Sequence, residues 1–239
     1  MAELLRLDAV TAGYRDTVVL EGVSAAIDAQ ESWAVLGRNG VGKTTLLMTV
    51  MGLTAMRGGS ITLEGQDITA LATHRRVRAG IGYVPQEREI FPSLTVDENL
   101  RVATRPGEWT RERAYDLFPR LAERKRNYGN QLSGGEQQML AVGRALVGNP
   151  KLLLLDEPFE GLAPVIIDTL AEALMRLRRE SAIATALVEQ QVDIALELTE
   201  HALVLDKGQI VWRGVSAALA ADREQLATLV GLQEASASG

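Results

Sequence analysis

The chain has 239 residues, 46% of them hydrophobic, a formal net charge of −6 and no cysteine. That length and composition fit one large globular domain with a sub-lobe and exclude a disordered chain, while the missing cysteines exclude disulfides and thiolate metal sites. The acidic balance argues against nucleic acid as a partner, and no apolar run reaches the roughly 18 residues of a membrane span. With Glu3, Arg6 and Asp8 in the first ten residues, unlike a signal peptide, the expectation is a soluble, cytoplasmic protein.

Leu4–Val10 and Val18–Ile27 read as strands on either side of a turn at Gly13. Tyr14 falls in that turn, where it is either an aromatic platform for a base or a surface tyrosine. Ser32–Leu36 (SWAVL) is a short apolar run, hence a buried strand, and Thr44–Met51 reads as a helix. Between them lies G-x-x-x-x-G-K-[ST], met by Gly37, Gly42, Lys43 and Thr44. Glycines let the backbone curl so that its N–H groups face a phosphate, and the helix start adds partial positive charge. Gly37, Arg38, Asn39, Gly40, Val41, Gly42, Lys43, Thr44 and Thr45 are therefore the candidate nucleotide contacts. Lys43 would reach the outer phosphates of ATP and the Thr44 hydroxyl would ligate Mg²⁺.

Gly58–Ile68 alternates like a strand ending in a turn, and His74–Arg78 (HRRVR) reads as a basic helical patch on a solvated face. Ile81–Pro85 is a further short strand ending at Gln86. From about Glu87 to Asn130 the texture becomes helical: Thr95 and Glu98 form a capping box, and Arg111–Arg126 is charged and helical, with Leu117 and Leu121 at i, i+4. In QLSGGEQQ, Ser133 and Glu136 form a second capping box on a helix running to about Val147, ended by Gly148, Asn149 and Pro150. A cap alone does not explain Gly134 and Gly135, poor helix formers at a helix start that is a good anion site.

Leu152–Leu155 (LLLL) is a buried parallel strand running into Asp156 and Glu157. Downstream of a phosphate loop, two acids at a strand end suit a metal role for Asp156 and a water-polarising role for Glu157. Pro164–Glu180 is an amphipathic helix, Ala182–Val188 a buried strand, and 201–212 a late hairpin around Lys207 and Gly208. One or two helices follow residue 215, and Ala235–Gly239 is expected to be a frayed tail.

Taken in order, Tyr14, the Walker A loop Gly37–Thr44, Gln86, the Leu132–Glu136 signature, the Walker B run Leu152–Asp156 and Glu157 resemble an ABC-transporter ATP-binding subunit. The resemblance runs from about Leu4 to Leu232, and the LSGGE signature is its most specific part. It implies an α/β fold: a phosphate-loop ATPase core with an N-terminal antiparallel β subdomain and an inserted α-helical subdomain at about 87–150, all in one domain over 1–234. It also implies a head-to-tail homo- or heterodimer. Each ATP would be held by Gly37–Thr45 of one chain and by Ser133, Gly134, Gly135 and Glu136 of the other. Tyr14 would then stack on adenine, Gln86 would touch Mg²⁺ or the attacking water, and Glu87–Leu100 would face a membrane subunit. The implied partners are two integral-membrane permeases and, indirectly, a periplasmic or extracellular solute-binding protein. The chain itself would be peripheral on the inner face of the cell membrane.

Two departures narrow the resemblance. The switch position, usually histidine, is Gln190, which cannot titrate near neutrality. Ala163 stands where many relatives have aspartate. With PQEREIFPSLTVDENL and SGGEQQMLAVGRAL, these features resemble the ATPases of branched-chain (hydrophobic) amino-acid importers. Urea and short-chain amide importer ATPases share most of these phrases, and lipopolysaccharide-export ATPases share the small size and parts of the region after Gln86. Non-transport ABC ATPases of DNA repair or translation usually carry long coiled-coil insertions or two cassettes, unlike this chain. Neither His74 nor His201 is placed to substitute at the switch; both are expected at the surface.

Overall fold

A computed structural model describes residues 2–231; the expected tail at 235–239 lies outside the described residues. Two sheets organise the chain. The first holds β1 (Glu3–Tyr14), β2 (Thr17–Asp28), β4 (Ala55–Leu63) and β5 (Gln66–Asp67), antiparallel throughout in the order β2-β1-β4-β5. The second contains β3 (Ser32–Leu36), β6 (Ile81–Val84), β7 (Leu152–Asp156), β8 (Ala184–Val188), β9 (His201–Asp206) and β10 (Gln209–Val215), in the order β10-β9-β3-β8-β7-β6. It is parallel except for the β9–β10 hairpin.

Both faces of the second sheet are covered, which is why its strands read as unbroken apolar runs. Trp33 and Val35, Leu152 and Leu154, and Ala184 and Ala186 point into one core, shared with the antiparallel sheet and with α1 (Lys43–Met51). Ala34 and Leu36, Leu153 and Leu155, and Leu187 point into the other. That second core is built by α3 (Val96–Ala103), α4 (Arg111–Leu117), α5 (Pro119–Glu123), α6 (Gly134–Leu146), α7 (Pro164–Glu180) and α8 (Val192–Leu198). α2 (Thr73–Ala79) precedes β6; α9 (Ser216–Ala221) and α10 (Arg223–Val230) follow β10. The inserted helical lobe, α3 to α6, thus hangs between β6 and β7, adjacent strands of the core sheet.

Three local expectations are corrected. β1 continues through Gly13, which pairs with Val18, so the turn is Arg15–Asp16 and Tyr14 is the last residue of a strand. Arg111–Arg126 is two helices, because Phe118 leaves helical geometry and Pro119 starts the next helix at its first turn. In α2, Arg75 and Arg78 are solvated but Arg76 is only 2% exposed.

Candidate nucleotide-binding site

β3 delivers the chain into the loop and α1 carries it away. Gly37 is required by close approach: a Cβ there would lie 2.3 Å from the Leu205 carbonyl oxygen of β9. Gly42 caps α1 at φ 112°, a left-handed conformation that glycine adopts without strain. α1 has no side-chain cap and no acidic residue in its first turn, so its leading N–H groups remain available for an anion. The side chain of Lys43 is folded back, donating to the carbonyls of Gly37 (2.9 Å) and Arg38 (3.1 Å). Burial lowers its pKa, opposed by the carboxylates of Glu157, Asp156 and Glu189. An open cleft of ≈ 350 Å³ is lined by Val19, Asn39, Gly40, Gly42, Lys43, Thr44, Thr45, Gln86, Glu157 and Gln190.

β7 brings up the acids. Asp156 is buried and accepts on two sides: Thr44 Oγ1 donates to Oδ1 at 3.0 Å and the Tyr83 hydroxyl donates to Oδ2 at 3.1 Å. Burial pushes its pKa up, and these two hydrogen bonds pull it back. One carboxylate beside one hydroxyl suits Mg²⁺, which usually takes few protein ligands and completes its shell with phosphate and water. Glu157 holds φ at 46°, a left-handed conformation uncommon for a residue with a side chain, while its N–H still donates to Val188 at 2.9 Å. The bend leaves its carboxylate in the cleft, where Gln190 Nε2 donates to it at 2.6 Å.

Glu189 was not among the sequence candidates. Its buried carboxylate accepts from the N–H groups of Phe159 (3.1 Å), Gln190 (2.9 Å) and Gln191 (3.2 Å) and so ties the loop after Glu157 to the loop bearing Gln190. Burial raises its pKa, and those three hydrogen bonds oppose the rise. Tyr83 is the second residue the sequence did not single out. Gln86 lines the cleft, but its amide donates to Glu160, not to Asp156.

Of the remaining candidates, Tyr14 touches the edge of this cluster, its hydroxyl 3.5 Å from Thr45 Oγ1, and the Ser133–Glu136 segment lies apart from it. Tyr14 is 41% exposed, and its hydroxyl donates to Met48 Sδ at 3.0 Å on α1. Ser133 caps α6 as expected: its side chain accepts from the Glu136 N–H at 3.3 Å, and the Glu136 carboxylate accepts from the Ser133 N–H at 2.8 Å. None of Ser133–Glu136 lines the cleft of Lys43. Gly135 has a packing reason inside the chain, since a Cβ there would lie 2.5 Å from Ile166 Cγ2 of α7. His74 is exposed as expected, whereas His201 is half-buried, stacked on Trp33 at 4.9 Å and 3.3 Å from Glu31.

The ABC transporter family model matches residues 20–160. The chain is 43% identical to the high-affinity branched-chain amino acid transport ATP-binding protein BraG of Pseudomonas aeruginosa, over 90% of this chain and 94% of that one. It is 38% identical to the probable branched-chain amino acid transport ATP-binding protein LivF of Archaeoglobus fulgidus, over 89% and 92%. It is 32% identical to the lipopolysaccharide export system ATP-binding protein LptB of Haemophilus influenzae, over 96% and 98%. Among solved structures, a nucleotide-free ATP-binding cassette from an ABC transporter is similar with a TM-score of 0.77 and 27% identity, covering 89% of this chain and 91% of that one. The cbiO1 protein of Clostridium perfringens, part of the cbiONQ transporter complex, gives 0.80 and 25%, covering 95% and 94%.

Proposed function

The chain belongs to the ABC transporter family, and we propose that it is the ATP-hydrolysing subunit of an importer for branched-chain or other hydrophobic amino acids. The observation that carries the ATPase chemistry is the meeting, in one cleft, of Lys43 and Thr44 with Glu157 and Gln190. Lys43 and the N–H groups of 37–45 bind the phosphates. Thr44 and Asp156 would hold the hydrated Mg²⁺, which would supply charge neutralisation. Glu157 polarises the attacking water, and Gln190 fixes the carboxylate that does so. Gln86, now donating to Glu160, is placed in the cleft where it would contact the metal or the water, and Tyr14 would stack on adenine.

Ser133, Gly134, Gly135 and Glu136 start a helix away from this cleft, which supports their acting on the ATP of a second ATPase in a head-to-tail dimer with the same chain or a paralogue. The face for a permease is supported by an open groove of ≈ 330 Å³ between the helical lobe and the core sheet. Beside it Phe91 is 46% and Val102 59% exposed. Arg144 lines the groove, and its buried Nη1 has no partner among the described residues, a donor suited to an acceptor on the docked segment. No helix among the described residues is long and apolar enough to cross a membrane, which fits peripheral attachment at the cytoplasmic face through two permeases.

The substrate assignment rests on the names of BraG and LivF. Lipopolysaccharide export is the second reading, favoured by the near-complete coverage of LptB. Affinity purification from gently solubilised membranes, followed by mass spectrometry, separates them. Two multi-span permeases with a second small ATPase, and leucine uptake lost on deletion, are expected. Recovery of lipopolysaccharide-export permeases would install the second reading; soluble partners only, or ribosomes, would overturn transport and leave the ATPase.

A further inference from the structure

Tyr83 stands on β6 opposite Leu154 of β7, so Asp156 lies two residues further along the neighbouring parallel strand. The phenol ring packs among the apolar residues between the two sheets, a task that phenylalanine would serve equally. Its hydroxyl is different. Tyr83 is partly buried and also lines the open groove beside the helical lobe, and its hydroxyl donates to Asp156 Oδ2 at 3.1 Å. Thr44 Oγ1 occupies the other oxygen, Oδ1, at 3.0 Å. A carboxylate held by one donor on each oxygen cannot turn about its Cβ–Cγ bond without losing one of them.

We infer that Tyr83 is a positioning residue for the metal: it fixes Oδ2 and thereby turns Oδ1 of Asp156 toward Thr44, where the hydrated Mg²⁺ binds. The inference rests on the proposed metal role of Asp156 and adds a residue that acts through it. Outer-shell partners of metal-binding carboxylates are worth about 10- to 100-fold in metal affinity.

The test uses the purified full chain with a non-hydrolysable ATP analogue and Mn²⁺, whose bound fraction is read by electron paramagnetic resonance. Tyr83→Phe keeps the ring and is expected to weaken Mn²⁺ binding about 10-fold or more. It should leave analogue binding in EDTA unchanged. Asp156→Asn is measured alongside. Mn²⁺ affinity unchanged in Tyr83→Phe but lowered in Asp156→Asn would overturn the inference alone. An equal loss of analogue binding in EDTA would reduce Tyr83 to a structural residue. Unchanged Mn²⁺ affinity in Asp156→Asn would remove the metal reading and the inference with it.

Discussion

Gln190 Nε2 donates to the Glu157 carboxylate across 2.6 Å, linking the loop after β8 directly to the acid at the end of β7. The Glu157 backbone is already bent into a left-handed conformation, and the amide holds the side chain that would face water. Gln190→Ala is expected to keep ATP affinity and lower steady-state turnover by about 100-fold, the usual scale for a misplaced reacting group. Gln190→His should restore much of the rate but add an inflection near pH 6.5, the ordinary histidine value, that the wild-type profile lacks. Superimposable pH profiles for wild type and Gln190→His would show that residue 190 does not govern Glu157 during turnover.

The same acids set a stability prediction. Burial holds the Asp156 pKa above the ordinary aspartate range despite the Thr44 and Tyr83 hydrogen bonds, and burial does the same to Glu189. Between the unfolded and folded pKa values the native state binds more protons than the unfolded state. Native stability therefore falls as pH rises across that interval and stays reduced above it. At neutral pH the Asp156 charge thus destabilises the metal-free protein. Asp156→Asn should abolish turnover yet raise the melting temperature by a few degrees, on the order of 2–4 °C per kcal/mol for a chain of this size. The gain should shrink as the pH is lowered through the folded Asp156 pKa. A metal-free Asp156→Asn protein that melts lower than wild type at neutral pH would refute the sign.

Most of this site was legible because it is local in the chain. The phosphate loop, both capping boxes and the two acids where β7 ends are continuous motifs, and their elements formed where the patterns placed them. Residues whose roles depend on strand order were not. Tyr83 meets Asp156 only because β6 and β7 are neighbours across an insertion of the whole helical lobe. Glu189 matters only because β8 lies beside β7, bringing Phe159 within reach of its carboxylate. The break at Pro119 follows from the proline itself, which starts a new helix at its first turn.

Gly135 has two candidate reasons, and a double substitution separates them. A Cβ on residue 135 would approach Ile166 Cγ2 to 2.5 Å, and overpacking of this kind costs about 1–3 kcal/mol. Gly135→Ala should lower the denaturant midpoint accordingly, and Gly135→Ala with Ile166→Ala should recover it. If the glycine also lets the helix start approach a nucleotide in the partner subunit, ATPase activity stays low in the double variant. Full recovery of activity with stability would leave the helix packing as the reason for Gly135.

Arg76 closes the far end of the helix that begins with Lys43 and Thr44. Its guanidinium donates to the carbonyls of Thr49 (3.0 Å) and Val50 (2.9 Å) in the last turn of α1, and to those of Leu71 (2.8 Å) and Thr69 (2.8 Å). A cation there also complements the negative end of the helix dipole, and no basic residue of α1 itself occupies that turn. Gly52 leaves the room: a Cβ on it would lie 2.8 Å from Arg76 Nε. Burial lowers the pKa of this guanidinium, opposed by the Asp67 carboxylate, yet arginine remains charged, and its donors are spent on those four carbonyls. Arg76→Leu removes this donor from all four, leaving, among the described residues, only the Thr49 carbonyl with another, the Gly52 N–H at 3.0 Å, and should cost about 3–5 kcal/mol, with Arg76→Lys recovering only part because it lacks the planar fork. Arg75→Leu and Arg78→Leu on the solvated face of the same helix should stay within about 0.5 kcal/mol of wild type. Chemical denaturation of the four variants decides it: equal costs at 75, 76 and 78 would mean that α2 is a solvated basic helix and that α1 needs no closure from outside.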